Sequence, residues 1–295
     1  MLALDTKPVN AFVRLDAFCE AGPGRVNEDR AGTVETAVWV LDGTTGLSDG
    51  RLLPGPSDAA WFVETVDRAL RRLAGTCHEI PGLLHRVIRE ARDEFRSAAL
   101  RQGDGDLERP AASVTLARCR HDGSLELGNV GDCRTLLRAA RGAVTGFGSS
   151  PVTDLDRRVV AELVRLRAGG MASYAEAWGH LEDVIRRNRT LANRDGGYWV
   201  LDLTDRWLHH VQRRVLAWET GAHLLLLSDG FYRLVDTFGF YTELELFEAA
   251  LERGLGELAR ELRLAESEDP ECVRYPRIKV HDDATALLVR LEREP

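Results

Sequence analysis

The sequence predicts an α+β protein in which two antiparallel sheets pack face to face with helices outside them. Two observations carry that expectation. The segments come in blocks: strands, two helices, a block of strands, helices, strands, helices, then a final strand. Such blocks build sheets covered by helices, not the alternating βαβ units of a parallel sheet. No internal repeat or low-complexity linker interrupts the 295 residues, so one domain over 1–295 is expected. A chain of this length buries enough surface to fold without a disulfide or a structural metal.

The elements follow in order. Val13 to Phe18 alternates loosely, as a strand does, and AGPGR (21–25) breaks it. AVWVL (37–41) is a compact apolar run, read as a buried strand ending at Asp42-Gly43. GLSDGRLLPGPS is loop-like. Ser57 or Asp58 caps a helix running through Leu73, and a second helix runs from Pro81 to about Leu100, with Leu84, Val87, Ile88, Ala91 and Phe95 at helical spacing. After a polar loop at 103–110, Ser113–Cys119, Leu125–Val130 and Arg134–Leu137 form an antiparallel meander that turns at His121-Asp122-Gly123. Asp156–Arg167 and Tyr174–Arg187 read as helices, and Tyr198–Leu203, Val211–Trp218 and Ala222–Leu227 as strands. Two helices, about Leu244–Arg253 and Leu255–Ala265, precede a last strand, Ala284–Leu291.

The net charge of -8 argues against a nucleic-acid or anionic-membrane binder, since both need a basic face. No apolar stretch approaches the ~20 residues of a membrane span. The five cysteines form no C-x-x-C pair, which speaks against a disulfide framework or a zinc knuckle. Scattered thiols and an N-terminus without a signal-peptide pattern suggest a cytoplasmic protein.

Asp-Gly occurs six times, at 42, 49, 104, 122, 195 and 229. Turn chemistry accounts for the pairs at 49, 104, 122 and 195. Asp42 and Asp229 differ, because each ends an apolar run: AVWVL before Asp42, LLLL and Ser228 before Asp229. A carboxylate there is partly desolvated, and two close together repel unless a cation lies between them. Glu28 and Asp29 follow a Gly-rich break, Asp132 lies between two strand runs, and Asp282 and Asp283 precede the last strand. No His/Cys cluster accompanies these acids. Oxygen-only ligands select Mg²⁺ or Mn²⁺ over zinc, and a pair of such ions can activate a water and clamp a phosphoryl oxygen. The residues alone leave two readings open: turns, or a shared hard-cation site.

Arg25-Val-Asn-Glu28-Asp29, VWVLDGTTG, LGNVGDCR, LLLLSDG and HDDATALLV, in that order, resemble the motifs of the metal-dependent type 2C (PPM) protein phosphatases, in their bacterial form. The resemblance spans about residues 14 to 291. It implies a four-layer αββα sandwich, and a protein serine/threonine phosphatase in which a water or hydroxide bridging two divalent metals attacks the phosphoester without a phosphoenzyme. It makes Asp42 the bridging ligand and gives the first metal the Gly43 carbonyl. Asp229 and Asp282 go to the second metal, Glu28 and Asp29 to the acidic pair that holds metals partly through water, and Asp132 to a third, looser ion. Mg²⁺ or Mn²⁺ is the implied cofactor, and a phosphorylated protein, the product of a Ser/Thr kinase, the implied partner. Arg25 is the phosphate anchor, with Asp42 and Asp229 beside it as catalytic residues. About 168–207 is where relatives insert a flap, from which Arg189 and Arg194 could reach substrate.

The match has departures. Gly24 stands where the family has its arginine, and Arg25 is one place later, so Arg30 or Arg51 could serve instead. Thr44-Thr45 stand where many eukaryotic relatives have His-Gly, and AASVT (111–115) stands for the family's G-S-T-A. A phosphatase-fold protein that regulates or binds while catalysing poorly is therefore the alternative. Asn129 and Arg134 are expected to brace the GDCR turn, the cysteines to lie in the core, and His281 to be a bystander. His209 and His210, if on a strand, point to opposite faces.

Overall fold

The computed structural model describes residues 10–44, 51–100, 108–140, 142–171 and 173–293. Thr45, Asp49 and Asp104, with much of the two expected polar loops, lie outside the described residues. Among the described residues the chain forms two five-stranded sheets and seven α-helices.

One sheet runs β1 (Asn10–Glu20), β10 (Ala284–Arg293), β9 (His223–Leu227), β6 (Arg134–Arg138), β7 (Val144–Phe147). The other runs β2 (Asp29–Val34), β3 (Ala37–Thr44), β4 (Ala111–Cys119), β5 (Leu125–Val130), β8 (Gln212–Leu216). Every pairing is antiparallel.

The strands alternate as a two-sided layer requires. On β3, Val38 and Val40 point between the sheets, where they meet Leu127, Leu224, Leu226, Leu287 and Val289. Ala37, Trp39 and Leu41 point the other way, into a core with α1 (Asp58–Leu73) and α2 (Ile80–Ala98). On β9, Leu225 and Leu227 face outward to α5 (Asp229–Asp236), α6 (Glu243–Arg253) and α7 (Leu255–Glu268). Helices therefore cover both outer faces, and the four-layer αββα arrangement is the fold. The remaining pair, α3 (Val152–Ala168) and α4 (Tyr174–Arg189), packs through Val159, Leu163, Ala177 and Leu181 onto Cys272, Ile278 and Val280. No described helix is long and apolar enough to cross a membrane.

Local chemistry sets the ends of the elements. Ser57 caps α1, its hydroxyl accepting from the Ala60 N–H at 2.9 Å. Asp58 accepts from the Leu52 and Leu53 N–H groups at 2.8 and 3.0 Å, tying down the loop before the helix. Ser173–Glu176 and Thr242–Glu245 form capping boxes that start α4 and α6.

Several elements differ from the sequence expectation. β2, β7 and α5 are additional. Tyr198–Leu203 is not a strand: it touches the sheet only through an Ala112–Leu201 bridge. Its Leu201 and Leu203 join the α1/α2 core, and the Asp202 carboxylate turns the chain by accepting from the Thr204 N–H at 2.8 Å. His209 and His210 lie in a 3₁₀ turn, not a strand, and His210 stacks on Trp199 with ring centroids 3.4 Å apart.

Candidate metal centre

The layer between the sheets changes chemistry at one end. The alternation that puts Val38 and Val40 inward puts Asp42 inward next. Asp29 sits directly opposite Asp42 on β2, and Ser113 directly opposite on β4. On the facing sheet, Leu224 and Leu226 are followed inward by Ser228, and Leu287 is preceded by Thr285. Thr115 and Thr135 bridge the two sheets through their hydroxyls at 2.6 Å. The apolar layer thus ends in hydroxyls and carboxylates from both sheets.

Asp229 opens α5 immediately after β9. Gly230 is required there: a Cβ on it would lie 1.9 Å from the Asp283 carbonyl oxygen. Gly43 is equally constrained, since a Cβ would lie 2.4 Å from the Glu28 carbonyl, which accepts from the Gly43 N–H at 2.9 Å. Asp132, in the turn between β5 and β6, is held by the Ser113 hydroxyl at 2.5 Å. Asn129 donates to the Cys133 carbonyl at 2.6 Å and fixes that turn, as expected. Arg134 instead bonds Gly148 and Glu243.

The carboxylates repel one another. Burial, then the charges of Asp229, Asp29 and Asp132, raise the Asp42 carboxyl well above its ordinary range. Burial also raises Asp29, against Ser228 and with the charges of Asp283 and Asp229. Asp29 is 1% exposed and its Oδ2 has no hydrogen-bond partner. Burial and Asp229 push Asp132 up to about 6.

Two acids outside the expected ligand set belong to this end of the molecule. Asp156, on α3, is pushed up to about 7 by burial and by Asp132 and Asp229, with Arg189 opposing. Asp283 is a clamp: its Oδ1 accepts from the Gly22 N–H at 3.0 Å and its Oδ2 from the Glu28 N–H at 2.7 Å. It therefore shapes the 22–28 loop that carries Arg25 and Glu28. In the sequence Asp283 is only the neighbour of Asp282, and Asp156 only the start of a helix.

Asp282 stands apart from the other acids. Both its oxygens are taken by cations, Oδ1 by Lys279 Nζ at 2.6 Å and Oδ2 by Arg233 Nη2 at 2.7 Å. Burial alone would raise its carboxyl, but Lys279 and Arg233 hold it below the ordinary value. This departs from the free ligand that the sequence suggested. Arg233 also pairs with the fully buried Glu266, which in turn accepts from Arg263 and contacts His281 Nδ1 at 3.2 Å.

The expected phosphate-binding arginines fall in different places. Arg25 is exposed on the Gly22 turn, with its charge in reach of Asp282. Arg30 turns away, donating to the Asp29 carbonyl at 2.7 Å and pairing with Glu64 at 3.8 Å. Arg51 bonds the Gly55 carbonyl. Arg189, at the end of α4, faces Asp156, whereas Arg194 lies on an exposed turn.

No family model matches this chain, and no curated protein matches it. Solved structures do. The serine/threonine phosphatase PstP/Ppp of Mycobacterium tuberculosis superposes with a TM-score of 0.52 at 18% identity, over 96% of this chain and 99% of that one. PppA, described as a key regulatory component of T6SS in Pseudomonas aeruginosa, gives 0.53 at 17% identity, over 96% and 99%. The fold is that of the type 2C protein phosphatases. The catalytic domain of PstP has also been solved in complex with two manganese ions, and superposes at 0.52 with 18% identity, over 97% of this chain and 99% of that one.

The residues placed here can be tested against such ions. Among the described residues, no three Asp, Glu, His or Cys side chains converge closely enough to grip one ion as they stand. The donor chemistry nevertheless fits a hard cation on the Asp29–Asp42–Asp229 side. The donors are all oxygen and repel one another, no described Lys or Arg pairs directly with the Asp29, Asp42 or Asp229 carboxylate, and the buried Asp29 Oδ2 is unpartnered. The Asp282 side of this type 2C fold does not fit in the same way, because its charge is already met by protein cations.

Proposed function

We propose that this protein is a Mg²⁺- or Mn²⁺-dependent protein phosphatase that hydrolyses phosphoserine or phosphothreonine. One observation carries the reading. In a fold shared with Ser/Thr phosphatases, the layer between the sheets ends in Asp42 opposite Asp29 and under the charge of Asp229, an oxygen-only cluster, buried at Asp29 and half-buried at the other two, with excess negative charge. Divalent cations would neutralise that charge and put the cluster to use.

The roles are those that the resemblance to the phosphatases implies. Asp42, the Gly43 carbonyl, Asp229, Glu28 and Asp29 would hold the ions, and Asp132, oriented by Ser113, a looser one. Two bound divalent ions would supply an activated water shared between them and neutralise charge on the phosphoryl oxygens. Arg25, exposed at the rim, takes the phosphate of the incoming phosphoprotein. Asp283 keeps that arginine's loop in place. The segment 168–207 acts as a flap, with Arg189 beside Asp156 and Arg194 outermost as the substrate contacts. The chain works as one catalytic domain, and its five unpaired thiols accord with a cytoplasmic setting.

A second reading, a partner-binding protein with this fold and little turnover, is favoured by the Lys279 and Arg233 contacts to Asp282. Hydrolysis of p-nitrophenyl phosphate and of a phosphothreonine peptide with Mn²⁺ separates the two. The phosphatase reading expects metal-dependent turnover that Asp229→Asn lowers at least a hundredfold, about 2.7 kcal/mol of barrier. No turnover, or equal rates for wild type and variant, sinks it.

A further inference from the structure

We propose that Lys279 is an internal cation that competes with a divalent ion for Asp282, so that the centre loads one ion tightly and a second only by displacing the lysine ammonium. The inference rests on the metal-centre reading above and adds an order of filling to it.

The chain has only two lysines, Lys7 and Lys279, against 37 arginines. The single described lysine stands on the carboxylate cluster. Its Nζ is 2.6 Å from Asp282 Oδ1. Burial would disfavour the charged ammonium, but Asp282, Asp229 and Asp42 together raise its pKa. Its charge is also felt at Asp132 and Asp156. It is thus a cation among five acids. A lysine suits that place: a compact charge on a flexible stem can leave, whereas a forked guanidinium is geometrically committed.

Arg233 plays the committed part. Its Nη2 binds Asp282 Oδ2 at 2.7 Å, and its Nη1 binds Glu266 at 3.1 Å and the Lys279 carbonyl at 3.3 Å. It holds the Asp282 carboxylate and the Lys279 backbone in one frame. Ile278 and Val280, on either side of Lys279, pack against the α3/α4 cluster and anchor the lysine's stem. An ion arriving at Asp282 meets no bare carboxylate. It must exchange for an ammonium already seated, whereas among the described residues no Lys or Arg pairs directly with the Asp29 or Asp42 carboxylate.

Mn²⁺ titration by calorimetry, with bound metal counted by native mass spectrometry, tests this. Wild type is expected to bind one ion tightly and a second at least tenfold more weakly. Lys279→Met should tighten the second at least tenfold and leave the first unchanged, while Lys279→Arg should keep it weak. Circular dichroism and melting temperature establish that the variants are folded, and Lys279→Gln gives a second neutral variant. Two ions whose affinities Lys279→Met and Lys279→Gln leave unchanged overturn the proposal while the metal centre stands. Failure of the metal-centre reading looks different: binding that Asp42→Asn does not weaken, or no binding in wild type and variants alike, overturns both.

Discussion

Replacing Asp42 by Asn removes one charge from the most crowded part of the cluster and should have opposite effects without and with metal. Asp42 is paired directly across the ladder with Asp29, and the charge of Asp229 acts on it as well. Side chains directly opposed on antiparallel strands have Cβ atoms about 5 Å apart. Two unit charges at ~5 Å repel by about 3 kcal/mol at an effective dielectric of ~20. Burial first, and then this repulsion, raise the Asp42 carboxyl, so proton uptake relieves part of the cost. The metal-free variant should therefore gain about 1–3 kcal/mol, worth roughly 2–6 °C at about 2 °C per kcal/mol for a chain of this size. The pH dependence has a definite sign. A carboxyl whose folded pKa is raised keeps its full stability below the unfolded value of about 3.9, then loses it as pH rises. Wild type and variant should melt together near pH 4 and diverge towards pH 8, the variant being the more stable. Mn²⁺ at about a hundred times its dissociation constant should then raise wild type by about 2.7 kcal/mol and the variant hardly at all. Differential scanning fluorimetry in EDTA and in MnCl₂, from pH 4 to pH 8, reads both effects. A metal-free variant less stable than wild type at pH 8, or an equal Mn²⁺ response in both, would refute the reasoning.

Two further substitutions test how the site is positioned. Asp283→Ala removes both acceptors of the Gly22 and Glu28 N–H groups; at about 1.5–3 kcal/mol per charge-assisted bond, the 22–28 loop should loosen and trypsin should cleave after Arg25 several-fold faster, whereas unchanged cleavage would deny the clamp. Gly230→Ala places a Cβ 1.9 Å from the Asp283 carbonyl; it should cost about 1–3 kcal/mol in urea unfolding and weaken Mn²⁺ binding, and a neutral result would mean that α5 and the 282–283 segment are not packed as described.

Much of this was legible in the chain, for identifiable reasons. Long amphipathic helices and buried strands announce themselves, so α1 and β5 sit where the periodicity places them. Asp42 and Asp229 were found because an acid ending an apolar run is out of keeping with its neighbours. The features that stayed hidden are short or non-local. β7 has four residues and α5 eight, too few to show a period, and Ser-Asp-Gly at the start of α5 has the composition of a turn. β2 begins at Asp29 itself, and only its register with β3 shows that Asp29 faces Asp42. Asp156 is one of several acids on a polar helix, and only packing decides which of them feels the charge of Asp132. The Lys279–Asp282–Arg233 contacts join α5 to the segment before β10, about 50 residues on, with no local pattern to mark them. The same holds for Arg30, which seemed a substitute anchor and is instead bound to its own strand and to Glu64.

The most direct test of the central claim is phosphate release from a phosphothreonine peptide by one preparation, assayed in EDTA, after addition of excess Mn²⁺, and after EDTA is restored. Release should switch on with Mn²⁺ and off with chelation in wild type, and stay near background in Asp229→Asn. Release that ignores the metal, or a wild type that never exceeds the variant, would contradict it.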